Sequence, residues 1–150
     1  MIETIKRILA VGAHPDDMEI LCGGTLGKYA QREQTVIMAH LTNGDKGHAE
    51  MDSAQLAKIR RAEAEAAARV IAAQAIGLDL PDAWLTFDPA TRLRVVDLVR
   101  EARPDIVITL SPRDYSSDHV TTSRLVCDAT FLATAPLVAT RHAAIGKIPL

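Results

Sequence analysis

The sequence predicts an α/β fold, a Rossmann-like open and mostly parallel sheet with helices on both faces, on three observations. Short apolar runs at residues 7–13, 35–41 and 105–110 read as buried strands, and the segments between them read as helices. Polar, turn-rich residues collect where those strands end, which is where ligands gather in such sheets.

The first strand, residues 7–13, contains the uninterrupted run Ile8-Leu9-Ala10-Val11-Gly12, as expected of a strand covered on both faces. Residues 17–32 read as a helix in which Gly23 and Gly24 allow close approach to the sheet. The second strand, residues 35–41, ends in the loop Thr42-Asn43-Gly44-Asp45-Lys46-Gly47. Ala-rich residues 53–73 form the longest helical pattern, with Ser53 as its N-cap. Residues 76–80 suggest a short strand, and Pro81, Trp84, Phe87 and Pro89 an irregular connection. A helix over 91–102 stops before Pro104, a strand over 105–110 follows, and a last helix starts at His119 or Val120 and runs to about residue 133. Alternating strands and helices imply parallel crossovers, which gather the loops 13–19, 42–48 and 111–119 into one crevice.

With 150 residues the chain suits one core rather than two, so residues 1–150 are taken as a single domain. The last residues, 140–150, end on an apolar note, as in a C-terminally truncated domain. A net charge of -2 gives no electrostatic case for nucleic acid or an anionic membrane, and 3% aromatics gives few platforms for stacking bases. Cys22 and Cys127 lack metal-site spacing and are expected as buried free thiols in a reducing compartment. The first residues lack the apolar core of a signal peptide and no run reaches membrane-spanning length, so a cytoplasmic location is expected. Apolar helix surface left over in so short a domain leaves room for a homo-oligomer.

The chemistry concentrates in Ala13-His14-Pro15-Asp16-Asp17-Met18-Glu19, directly after the first strand. His14 and Asp17 offer two metal ligands from one turn, and His119, at the mouth of another strand, offers a third. Two histidines and a carboxylate suit zinc and also ferrous iron, with an open position for an activated water. Asp16, adjacent to the ligands but separate from them, is the candidate general base, held in register by the stiffness of Pro15. Asp118 joins it as the second catalytic carboxylate, placed to orient a ligand or the substrate. His40 reads as a core histidine, His48 as a solvated loop histidine, and Arg60 and Arg61 as a solvated helix face from which one arginine could reach inward.

Two plainer readings compete. His14 could merely cap the next helix, with Asp16 and Asp17 favouring its positive N-terminus. The paired aspartates could also open a magnesium-binding phosphoaspartate receiver, but Asp45 and Lys46 are poorly spaced for the acceptor and distal lysine which that needs.

Ala13-His14-Pro15-Asp16-Asp17-Met18-Glu19 resembles the AHPDDxE signature of the PIG-L/LmbE family of zinc-dependent N-acetylglucosaminyl deacetylases. Leu41-Thr42-Asn43-Gly44-Asp45 is similar to that family's second loop, Arg60-Arg61-Ala62-Glu63 to its RxxE helix, and Asp114-Tyr115-Ser116-Ser117-Asp118-His119 to its distal histidine segment. The resemblance implies His14, Asp17 and His119 as zinc ligands, Asp16 as base and Arg60 as a substrate-binding arginine. Asn43, Tyr115 and Ser116 are added as substrate-facing residues of the matching loops. The implied reaction is removal of an acetyl group from a small-molecule N-acetylated sugar or sugar conjugate, by water attack on a polarised carbonyl.

The sequence departs from the family pattern in two ways. Where many members carry HxDH, this chain has Ser116-Ser117-Asp118-His119, so a serine stands in place of the first histidine. Members are also usually longer. These departures keep an alternative open: a non-catalytic, metal-bearing sugar-binding or regulatory protein of the same fold.

Overall fold

The computed structural model describes residues 6–150; residues 1–5, on which the signal-peptide reading mainly rests, lie outside the described residues. Among the described residues the elements run β1 (Arg7–Gly12), α1 (Asp17–Gln31), β2 (Thr35–Thr42), α2 (Ser53–Val70), β3 (Gln74–Leu80), α3 (Pro89–Ala102), β4 (Ile106–Thr109) and α4 (Ser117–Leu132). The strands form one parallel sheet in the order β3-β2-β1-β4, with Ile8 beside both Val36 and Ile106.

Alternation along the strands divides the core into two layers. Leu9 and Val11 of β1 and Ile37, Ala39 and Leu41 of β2 pack on Val95, Val96 and Val99 of α3 and Leu125, Val126 and Ala129 of α4. Ile8, Ala10, Val36 and Met38 face the other way, onto Met18 and Leu26 of α1 and Ala68 of α2. The two central strands are thus covered on both sides, which is why their sequence is apolar without alternation. β3 lies at the sheet edge and is only half-buried, so its pattern in the sequence is weaker.

Several local expectations are corrected. The N-cap of α2 is Asp52, whose carboxylate accepts from the Ala54 and Gln55 N–H groups at 3.0 and 3.1 Å, while Ser53 is the first helical residue. α4 begins two residues earlier than expected because Ser116 caps it, its Oγ accepting from His119 N at 3.4 Å. Gly23 and Gly24 do not serve close approach to the sheet: a Cβ on Gly24 would meet nothing within 4 Å, and one on Gly23 only Met18 O of the same helix, at 3.9 Å. Cys127 is exposed and Cys22 only half-buried, and both thiols are free.

His40 is buried, and burial pushes its imidazole below the ordinary histidine range, as a neutral core residue requires. It packs on Gly77, where a Cβ would come within 2.6 Å of its Nε2. On the opposite layer, buried Arg100 donates to the carbonyls of Ala133, Ala135, Val138 and His142 and so pins the segment after α4 onto α3.

Candidate metal centre

The strand order places the topological switch between β1 and β4, since the chain builds outward from β1 to β3 and then crosses back to β4. The loop after β1 carries His14 and Asp17, and the loop after β4 leads into His119. Residues about a hundred positions apart in the sequence thereby meet over the carboxyl ends of neighbouring strands.

Asp17 opens α1 but does not cap it: its Oδ2 folds back to accept from the N–H groups of Ala13 and His14 at 2.8 and 2.9 Å. Gly12 makes room for this, because a Cβ there would lie 2.7 Å from Asp17 Cβ. The same carboxylate lies 3.6 Å from His14 Nδ1 through Oδ2 and 3.3 Å from His119 Nε2 through Oδ1. Tetrahedral zinc at about 2.0–2.1 Å from each ligand would hold donors roughly 3.3–3.4 Å apart, so these three groups fit a zinc-sized ion. His14, Asp17 and His119 all bring donor atoms within 4.8 Å of one another.

The far nitrogens of both histidines meet carboxylates. His14 Nε2 lies 3.2 Å from Asp82 Oδ1 and 3.3 Å from Asp118 Oδ2, and His119 Nδ1 lies 3.0 Å from Asp114 Oδ2. His14, Asp82 and Asp118 also lie close enough to count as a ligand set. However, Asp118 spends its oxygens on the N–H groups of Ala83 and Leu85 at 2.9 and 3.3 Å, and Asp82 Oδ2 accepts from Lys46 N at 3.1 Å. Both Asp118 oxygens thus hold backbone donors, whereas those on Asp17 fall on Oδ2 and its Oδ1 faces His119, so Asp118 suits a supporting role behind His14 better than direct coordination.

These neighbours set the local electrostatics. The hydrogen bond to Asp17 lifts the His14 imidazole to about 9 in the metal-free protein, against burial and with help from Asp82 and Asp118. Burial alone would raise the Asp17 carboxyl, yet the hydrogen bonds from His14 and the charge of His119 hold it below the usual carboxylate range. Asp114 is held low chiefly by the Ser116 N–H and then by His119.

Asp16 projects into the cleft with its backbone at φ 131°, a conformation rare for any residue with a side chain. Its carboxylate makes no cap to α1; instead it takes Arg60 Nη2 at 2.5 Å, and Arg60 also donates to Pro15 O and to Glu63 at 2.7 Å. Arg60 is the arginine that reaches inward, whereas Arg61 pairs with Asp79 on the surface.

The cleft over these groups holds about 710 Å³ and is walled by His14, Asp16, Asp17, Arg60, Tyr115, Ser116 and His119, by Lys46 and His48, and by Met51 and Ile59. Tyr115 is almost wholly exposed at its mouth. Asn43 is not brought to the wall; its Oδ1 is turned to Asp45 N at 3.2 Å. Ser116 borders the cleft with its hydroxyl engaged by the helix cap. The sequence reading missed Asp82 and the contact of Asp114 with His119. The signal for Asp82 was present: an aspartate directly after Pro81, at the end of the short strand.

Comparison with known proteins identifies the family. Residues 9–130 match the family model described as PIG-L, GlcNAc-PI de-N-acetylase. A 4-oxalmesaconate hydratase from Pseudomonas putida is 30% identical over 138 residues, covering 87% of this chain and 54% of its own length. A diacetylchitobiose deacetylase from Thermococcus kodakarensis is 32% identical over 111 residues, covering 72% of this chain and 42% of its own. The structure of N,N'-diacetylchitobiose deacetylase from Pyrococcus horikoshii superimposes with a TM-score of 0.86 at 27% identity, covering 91% of this chain and 53% of that one. The chain thus spans about half the length of the curated relatives it matches. With its signature loop, its strand order and the match over residues 9–130, the chain belongs to the PIG-L family.

Proposed function

We propose that the protein is a zinc-dependent hydrolase that removes an N-acetyl group from an amino sugar or sugar conjugate. The observation that carries this reading is the spacing of His14, Asp17 and His119 around one zinc-sized point, with the carboxylate of Asp16 beside them. Zinc in such a set supplies Lewis acidity, activating water and polarising a carbonyl. Asp16 takes the proton of the attacking water as the new C–O bond forms; the C–N bond then breaks and the amine leaves with a proton. Ser116 has no imidazole to offer, so in this reading the protonated Asp16 returns its proton to that amine. Arg60 holds Asp16 through the 2.5 Å pair, and Asp82 and Asp118 hold His14. The deacetylase relative favours an N-acetylated sugar as substrate. Residues 1–150 act in this reading as one deacetylase-like unit, and the two free thiols favour a cytoplasmic setting.

The test is acetate release across a panel of N-acetylglucosaminyl conjugates, with and without added zinc. Zinc-dependent acetate release is expected. Tight sugar binding in a calorimeter without acetate over hours would replace the enzyme with a binding protein.

A second reading is favoured by the hydratase relative and by Ser116: addition of water across an activated carbon–carbon double bond. Hydration expels no amine: the hydroxyl adds to one carbon and the proton that Asp16 takes from the water returns to the other, so no second acid is needed at position 116. Loss of the ultraviolet absorbance of an unsaturated polycarboxylate, with no acetate from any amide, would select it.

A further inference from the structure

We propose that Asp114 is a positioning residue of the metal centre, deciding which ring nitrogen of His119 faces the ion. The proposal rests on the reading of His14, Asp17 and His119 as the ligand set. A neutral imidazole carries its proton on one nitrogen and offers a lone pair on the other, so a metal ligand must keep its proton on the far side. For His119 the near nitrogen is Nε2, 3.3 Å from Asp17 Oδ1, and the far one is Nδ1, 3.0 Å from Asp114 Oδ2. An ionised carboxylate only accepts, so a proton shared in that contact sits on Nδ1 and leaves Nε2 bare for the ion.

Asp114 is itself fixed. Its other oxygen accepts from Ser116 N at 2.9 Å, and Ser116 Oγ in turn accepts from His119 N at 3.4 Å. The segment 114–116 therefore holds His119 twice, by its main chain through Ser116 and by its ring through Asp114. This gives the serine at position 116 a structural role: it anchors the helix that carries the last ligand, and its neighbour Asp114 sets that ligand's tautomer. His14 is served separately, by Asp82 and Asp118.

The experiment measures zinc affinity by competition with a chromophoric chelator for the wild type, Asp114→Ala, Asp114→Asn and His119→Ala, together with the thermal unfolding midpoint of each metal-free protein. Asp114→Ala is expected to weaken zinc binding about 10–100-fold. Asp114→Asn keeps an acceptor without its charge and is expected to lose less, and both metal-free midpoints should stay close to the wild type. Zinc affinity of Asp114→Ala within about threefold of the wild type, with binding lost in His119→Ala, would overturn the proposal and leave the ligand set standing. A large fall in the metal-free midpoint of both Asp114 variants would also overturn it, assigning Asp114 to loop structure. Unchanged zinc binding in His119→Ala would remove the ligand set itself, and the proposal with it.

Discussion

At the scale of single residues, Asp16 carries the sharpest consequence. Its φ of 131° costs stability that glycine would recover, by about 1–3 kcal/mol, while loss of the half-exposed pair with Arg60 costs about 1. Asp16→Gly is therefore expected to be as stable as the wild type or slightly more so in denaturant titration, yet nearly inactive. Asp16→Asn should keep its zinc and lose about 10²–10⁴ in turnover; undiminished turnover would take Asp16 out of its role. His14 gives a pH dependence whose sign follows from its raised pKa. In the metal-free protein the folded state holds the His14 proton more tightly than the unfolded chain, so the stability it contributes is complete below pH 6.5 and is lost as pH rises through about 9. Zinc must displace that proton, so apparent zinc affinity is expected to rise about tenfold per pH unit from neutrality toward 9, with proton release visible as buffer-dependent binding heat. A flat profile would mean that His14 does not coordinate. The meeting of His14, Asp16, Asp17 and His119 was legible because the first three directly follow β1 and the last lies in the first turn of α4, beyond the loop that leaves the neighbouring strand. Asp82 had a legible place after the short strand but not a legible direction, because the bond that aims it comes from Lys46 N, far away in the sequence; Asp114 is held by a local turn through Ser116 N, and what the sequence did not reveal is that this turn carries its other oxygen to His119.

At the scale of elements, the junction of β1 and α1 is the tightest part of the site. A methyl group at Gly12 would push on Asp17 Cβ at 2.7 Å and on its Oδ2 at 3.1 Å, where the helix start leaves little room to yield. Gly12→Ala is expected to cost about 1–3 kcal/mol of stability and to weaken zinc binding as well, which chelator competition would detect. Strands with two covered faces were plain in the sequence because nothing interrupts their apolar run, whereas β3, half-exposed at the edge, was expected only from Ile76 and starts at Gln74. The cap of α2 fell on Asp52 rather than Ser53 because both residues can cap, and only the geometry of the preceding loop decides which oxygen reaches the Ala54 and Gln55 N–H groups.

At the scale of the whole molecule, the site joins the β1 and β4 ends of the sheet, and its ligands come from segments separated by most of the chain. An ion held there ties α4 to the first loop and stabilises only the folded arrangement, because the unfolded chain seldom brings these groups together. Zinc at about 100 times its dissociation constant adds about 2.7 kcal/mol by mass action, and for a chain of this size each kcal/mol raises the unfolding midpoint by roughly 2–4 °C. The metal-free protein should therefore gain roughly 5–11 °C on saturation with zinc, and a chelator should reverse the gain. The double variant His14→Ala/Asp17→Ala should unfold at the same temperature with and without zinc, since it keeps one ligand of three. An unaltered zinc-induced shift in that variant would place the ion elsewhere and separate the fold's switch point from its metal.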